Sequence, residues 1–142
     1  MHILVVGGGM GGTILANNLA RRLSGELEQG SSKITMLSAS DKHMYQPGLL
    51  YVAVGKMSTT ELYRDQKSLL EPSIDFHVDP VEKFDLDNNS VTTKSGKKIS
   101  YDIICIATGS RGNAAGIPGL AENACQFYTC LLYTSPSPRD TR

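Results

Sequence analysis

Three glycines near the start of the chain form its clearest chemical group. Gly7, Gly9 and Gly12 satisfy the spacing G-x-G-x-x-G, with Gly8, Met10 and Gly11 between them. At the first position glycine permits a tight turn. At the second it lets the backbone approach a pyrophosphate, and at the third it lets a helix pack closely on a strand. A helix that starts at such a turn offers free N–H groups and a partial positive charge to phosphates. The chemistry implied is the holding of a dinucleotide.

The motif needs a strand before it and a helix after it, and the sequence supplies both. Ile3-Leu4-Val5-Val6 is a short apolar run that enters the turn. Thr13 to Leu23 leaves it with helical period: Ile14, Leu15, Leu19 and Leu23 share one face, and Asn17, Asn18, Arg21 and Arg22 the other. Gly25 is placed to stop that helix, and 26–32 is a polar connection. Lys33 to Ser38 then reads as a second strand, apolar enough for the inside of a parallel sheet. A strand–helix–strand unit of this length is the mononucleotide-binding half of a doubly wound fold.

NAD sites place an Asp or Glu at the end of the second strand, on the ribose hydroxyls. Ser38 holds that position, followed by Ala39, Ser40 and Asp41. Ser38 can bond a ribose hydroxyl, more weakly than a carboxylate does; equally, Ser38 and Ser40 are ordinary loop formers. The missing acid argues against a plain NAD site. Of the other reactive side chains, His43 reads as a surface or capping histidine. The cysteines are Cys105, Cys125 and Cys130. They form no C-x-x-C, no zinc spacing occurs, and an odd count fits a reducing compartment. No metal site is expected. Cys105 lies inside an apolar run and reads as an inert core thiol.

Further along, Pro47-Gly48 marks a turn, and the run after it, Leu49 to Gly55, is apolar and aromatic without a clean period, either a buried helix or a segment lining a flat ligand. Ser58 to Leu70 reads as a helix opened by a Ser58–Glu61 capping box and stopped before Pro72. Ile74 to Val78 alternates as a strand. Turns at Asp87-Asn88-Asn89 and Ser95-Gly96 separate three alternating runs, which makes an antiparallel meander. Asp102 to Gly109 reads as a fully buried parallel strand ending in small residues, which admit a cofactor closely.

The 142 residues suit one domain. With 14 basic and 14 acidic residues and no block of like charge, the chain has no nucleic-acid groove and no polybasic membrane patch. No apolar stretch is long enough to span a membrane, and no cleavable leader is apparent. A cytoplasmic location is expected.

These motifs together resemble the two-dinucleotide flavoprotein disulfide reductases, and among them the sulfide:quinone oxidoreductases. The broad resemblance rests on Gly7 to Gly12, the meander, and Tyr101-Asp102 through Ala107-Thr108-Gly109. The narrower one rests on Leu37 to Asp41, Tyr45 to Leu50 and Phe127-Tyr128-Thr129. It implies an FAD-dependent oxidoreductase fold: a Rossmann-like doubly wound parallel sheet with the meander inserted. It implies FAD on Gly7, Gly9, Met10, Gly11 and Gly12, the adenosine ribose near Ser38 and Ala39, and Val81 near the adenine. Ala107, Thr108 and Gly109 would lie towards the flavin, and Tyr45 and Pro47 beside the isoalloxazine ring.

The family implies sulfide as electron donor and quinone as acceptor, the full-length protein lying peripherally on the membrane. Type II NADH:quinone dehydrogenases are the rival within the class, and a non-catalytic nucleotide-binding module the rival outside it. The principal redox cysteines are expected beyond this chain. Cys125 is the candidate within it, out of register with the Phe127-Tyr128-Thr129 alignment. Residues 1–129 are expected to be the N-terminal part of an FAD-binding domain, inactive alone. The Ser/Pro-rich residues 130–142 read as a non-native or disordered tail.

Overall fold

The computed structural model describes residues 1–110 and 117–119; Cys125, Phe127-Tyr128-Thr129 and the segment 130–142 lie outside them. Strands β1 (His2–Val6), β2 (Lys33–Ser38), β5 (Ile74–Val78) and β9 (Ile103–Ile106) form a parallel sheet in the spatial order β5-β2-β1-β9. Taken as the first four strands of the sheet, that order is 3-2-1-4, the doubly wound arrangement. Helix α1 (Met10–Arg22) crosses between β1 and β2. The meander of β6 (Val81–Asp85), β7 (Ser90–Thr93) and β8 (Lys98–Ser100) lies between β5 and β9 in the chain. Its two antiparallel pairings are those the turn residues predicted.

Alternation along β1 explains why its whole run is apolar. Ile3 and Val5 join Ile34, Met36, Ile74, Ala16 and Ala20 in a core under α1. Leu4 and Val6 join Leu37, Val91, Ile99 and Tyr101 in a second core under the meander. The sheet is therefore covered on both faces, by a helix on one and by three strands on the other.

Several expectations are corrected. Ile14 is 55% exposed, because Gly12 fixes the helix phase and presents Gly12, Thr13, Ala16 and Ala20 to the sheet. Asn17 is half-buried and bridges to the Leu69 carbonyl (2.8 Å) and the Glu71 N–H (2.9 Å). Gly25 does not end the helical region. A short helix α2 (Ser24–Glu28) contains it, and the left-handed residue is Gly30, at φ +71°. The 58–70 segment is not one helix. Glu61 does accept the Ser58 N–H at 2.7 Å, but the turn it caps is a single 3-10 turn, Thr59–Leu62. Strand β4 (Tyr63–Asp65) follows and pairs antiparallel with β3 (Lys42–Met44), and a second 3-10 turn spans Lys67–Leu69. Leu49 to Gly55 is no buried helix either. After a turn at Gln46–Gly48, α3 (Leu49–Ala53) buries Leu49 and leaves Leu50 and Tyr51 more than half exposed. Strand β9 is not fully buried: Ile103 and Ile106 are 46% and 56% exposed, and among the described residues it pairs with β1 alone.

On the outer strands, Asp75 bonds Lys33 (2.7 Å) and His77 (3.0 Å). The hydrogen bond from Lys33 holds the Asp75 carboxyl below its ordinary value of 3.8, opposed by partial burial and helped by His77. A carboxylate lowered in this way stabilises the fold above the ordinary value, and the stabilisation is lost as pH falls below it. Asp75→Asn should therefore lower the unfolding free energy slightly at pH 6, by about 1 kcal/mol or less. The difference should close in acid; a gap that widens in acid would refute the assignment.

Candidate nucleotide-binding site

The carboxyl ends of β1, β2 and β9 open together into a cleft of about 810 Å³, of the size that holds a cofactor. In a doubly wound sheet ligands bind outside these strand ends, where strand order reverses. Its walls include Gly7, Gly9, Met10 and Gly11 from the turn, Ser38 at the end of β2 with Ala39 after it, and Val81 from the meander. Ala107, Thr108 and Gly109 close the side after β9. Backbone bonds lock these segments together: Gly7 N–H to the Leu37 carbonyl at 2.8 Å, and Ala107 N–H to the Val6 carbonyl at 2.7 Å.

The glycines divide by task. Gly7 has φ +116°, and a Cβ there would collide with the Ala107 carbonyl. A Cβ on Gly12 would collide with the Gly7 carbonyl, which is the close helix–strand approach the spacing predicted; Gly12 itself lies behind the cleft wall. A Cβ on Gly9 or Gly11 would meet nothing within 4 Å. Those two are free of protein and face space a ligand can fill. Gly9 is the N-cap of α1, no side chain caps it, and the first turn holds no acidic residue, so the helix end keeps its N–H groups for an anion.

The Ser38 Oγ accepts the Ser40 N–H (3.3 Å), a loop-forming bond, and Ser38 also lines the cleft. Tyr45 and Pro47 are not among the lining residues; Gln46 between them is. Ser40, Lys42, Met44, Phe84 and Ser110 line it without having been singled out. The 3-10 turn and the β3–β4 pairing that set residues 42–47 left no periodic signal in the sequence.

Sequence reading also missed a buried polar network beneath the turn. Gln66 is fully buried, and its Nε2 donates to Thr13 Oγ1 at 2.8 Å. Its Oε1 therefore faces His43 Nδ1 at 3.1 Å, and that nitrogen also lies 3.1 Å from the Gly8 carbonyl. With acceptors on both sides, Nδ1 must carry the hydrogen. Thr13 Oγ1 donates weakly to the same carbonyl at 3.4 Å. The Gly8 carbonyl is thus held down from below, which leaves the N–H groups of the turn as its polar face to the cleft. His43 is a buttress of the turn, not a surface cap.

The sequence matches the pyridine nucleotide-disulphide oxidoreductase family over residues 1–132. It is 34% identical to a sulfide-quinone reductase of Aquifex aeolicus, over 96% of this chain and 33% of that protein. It is 27% identical to a type II NADH:quinone oxidoreductase of Staphylococcus epidermidis, over 91% of this chain and 31% of that protein. The solved sulfide:quinone oxidoreductase of Aquifex aeolicus superposes with a TM-score of 0.76 at 31% identity, covering 93% of this chain and 29% of that one. The chain spans about a quarter to a third of the length of the curated relatives it matches.

Proposed function

The chain belongs to the pyridine nucleotide-disulphide oxidoreductase family, and on that premise we propose that it is the FAD-binding part of a sulfide:quinone oxidoreductase. The observation that carries the reading is the uncapped glycine turn set beside a β2 end with serine in place of an acid, in a chain more similar to a sulfide-quinone reductase than to a type II NADH:quinone oxidoreductase.

The residues present fit FAD: the cleft has room for a dinucleotide, and the space over Gly9 and Gly11 is clear of protein. Bound there, the flavin supplies two-electron chemistry between a donor and an acceptor. The chain's own part is to hold it. The N–H groups of the turn hydrogen-bond the diphosphate, Ser38 and Ala39 meet the adenosine ribose, and Val81 packs on the adenine. Ala107, Thr108 and Gly109 would shape the wall towards the flavin, and from the 45–47 loop Gln46 would meet it. Sulfide is the donor and quinone the acceptor at a membrane surface. Cys125 is the candidate redox cysteine this chain offers. Among the described residues no helix is long and apolar enough to cross a membrane. The proposed location is cytoplasmic, peripheral to the membrane.

The test is the visible flavin spectrum of the purified chain and the titration of its apo form with FAD. Gly9→Ala should leave the fold within about 1 kcal/mol, because its methyl meets no protein atom. It should weaken FAD by at least about tenfold, because the methyl takes the phosphate's place. Unchanged FAD affinity in Gly9→Ala would count against the site. A chain that binds an adenine nucleotide but no flavin would favour a non-catalytic nucleotide-binding module. In a full-length form, flavin bleaching by NADH and not by sulfide would favour the NADH:quinone class.

A further inference from the structure

We propose that Lys42 is the counter-charge for the diphosphate of the bound dinucleotide. The inference rests on the FAD reading above and extends it to a residue no motif marks. Lys42 is the only charged side chain on the cleft wall among the described residues. Its place follows from strand alternation. Lys42 and Met44 share the face of β3 that lines the cleft, while His43 between them turns inward to the Gly8 carbonyl. The lysine thus stands one residue from a group that touches the glycine turn itself.

Its ammonium has no hydrogen-bond or ion-pair partner among the described residues. Asp65 lies opposite on β4, but the Asp65 carboxylate accepts the Ser68 N–H at 2.9 Å. The Ser40 Oγ accepts the Lys42 N–H at 3.0 Å and fixes the backbone from which the side chain leaves. The electrostatics call for a cation here. A diphosphate ester carries a full negative charge on each phosphate, and a helix end offers roughly half a charge. With no acid on the cleft wall to compete, a lysine adds a full positive charge through a charge-assisted bond.

The test titrates FAD, ADP and adenosine into the 142-residue chain and into Lys42→Met and Lys42→Arg, at low and high salt. Lys42 is exposed, so neither substitution should move the melting point. Lys42→Met should weaken FAD and ADP by about tenfold, flatten their salt dependence, and leave adenosine unchanged; Lys42→Arg should keep the affinity. A Lys42→Met chain that binds FAD as tightly as the parent, with the same salt response, overturns the assignment and leaves the FAD reading standing. A parent chain that binds neither FAD nor ADP overturns both. If 2′,5′-ADP binds the parent more tightly than ADP and loses that preference in Lys42→Met, the lysine serves a ribose phosphate and the diphosphate assignment fails.

Discussion

Gly12→Ala is expected to destabilise the chain by about 3 kcal/mol and to abolish FAD binding. A methyl at this position falls inside van der Waals contact of the Gly7 carbonyl oxygen and touches the Ala107 methyl. Neither the carbonyl nor the helix backbone can yield alone, because Gly7 is bonded through its N–H to Leu37 and α1 is seated on the sheet by Ala16 and Ala20. Helix and strand must therefore separate. Total stabilities are about 5–15 kcal/mol, so the loss is a large fraction of the whole. Urea unfolding of Gly12→Ala beside Gly9→Ala checks it. The two share a motif and a substitution, yet one should fail by unfolding and the other by excluding ligand. Equal stability of the two variants would show that the close approach at Gly12 is not what holds α1 to β1.

Gln66→Leu should cost about 2–4 kcal/mol and should weaken FAD without touching it. Leucine fills the volume but leaves His43 Nδ1–H and Thr13 Oγ1 short of their buried partner. The two then compete for the Gly8 carbonyl, and the turn loses the brace that orients its N–H groups. The loss should appear both in the unfolding free energy and in FAD affinity at temperatures where the variant is folded. Gln66→Glu keeps the acceptor for His43 and loses the donor to Thr13, so it should fall between parent and leucine in stability. A leucine variant as stable as the parent would refute the network as a structural element.

The glycine turn, β2 and the meander were legible because neighbours in the chain encode them. Gly7 to Gly12 fix a turn by backbone freedom, and Asp85 bonds the Asn88 N–H within one turn of the meander. The β3–β4 pair was not legible. His43 faces Arg64 across two strands of three residues each, and a capping box at Ser58 gave a local signal for helix that the cross-strand bonds outweighed. Ile14 misled for a related reason: apolar spacing predicted the wide face, while Gly12 set a narrow seam that only small residues fit. In the site, the glycines and Ser38 were visible as motif positions. Gln66, His43 and Lys42 were not, since their roles depend on the pairing that brings residues 42–66 under and beside the turn.

The bond between the Val6 carbonyl and the Ala107 N–H ties the turn to the end of a strand one hundred residues later, and the bond from the His2 N–H to Asp102 ties the other end of β1 to the start of that strand. During synthesis at about 5–20 residues per second, Gly7 emerges about 5–20 s before Ala107. For that interval β1, α1 and β2 can assemble, but one side of the phosphate cradle does not exist. On the FAD reading proposed above, capture waits for the arrival of the fourth strand, and a ribosome paused before Ala107 should carry a nascent chain that has helix and sheet but retains no nucleotide.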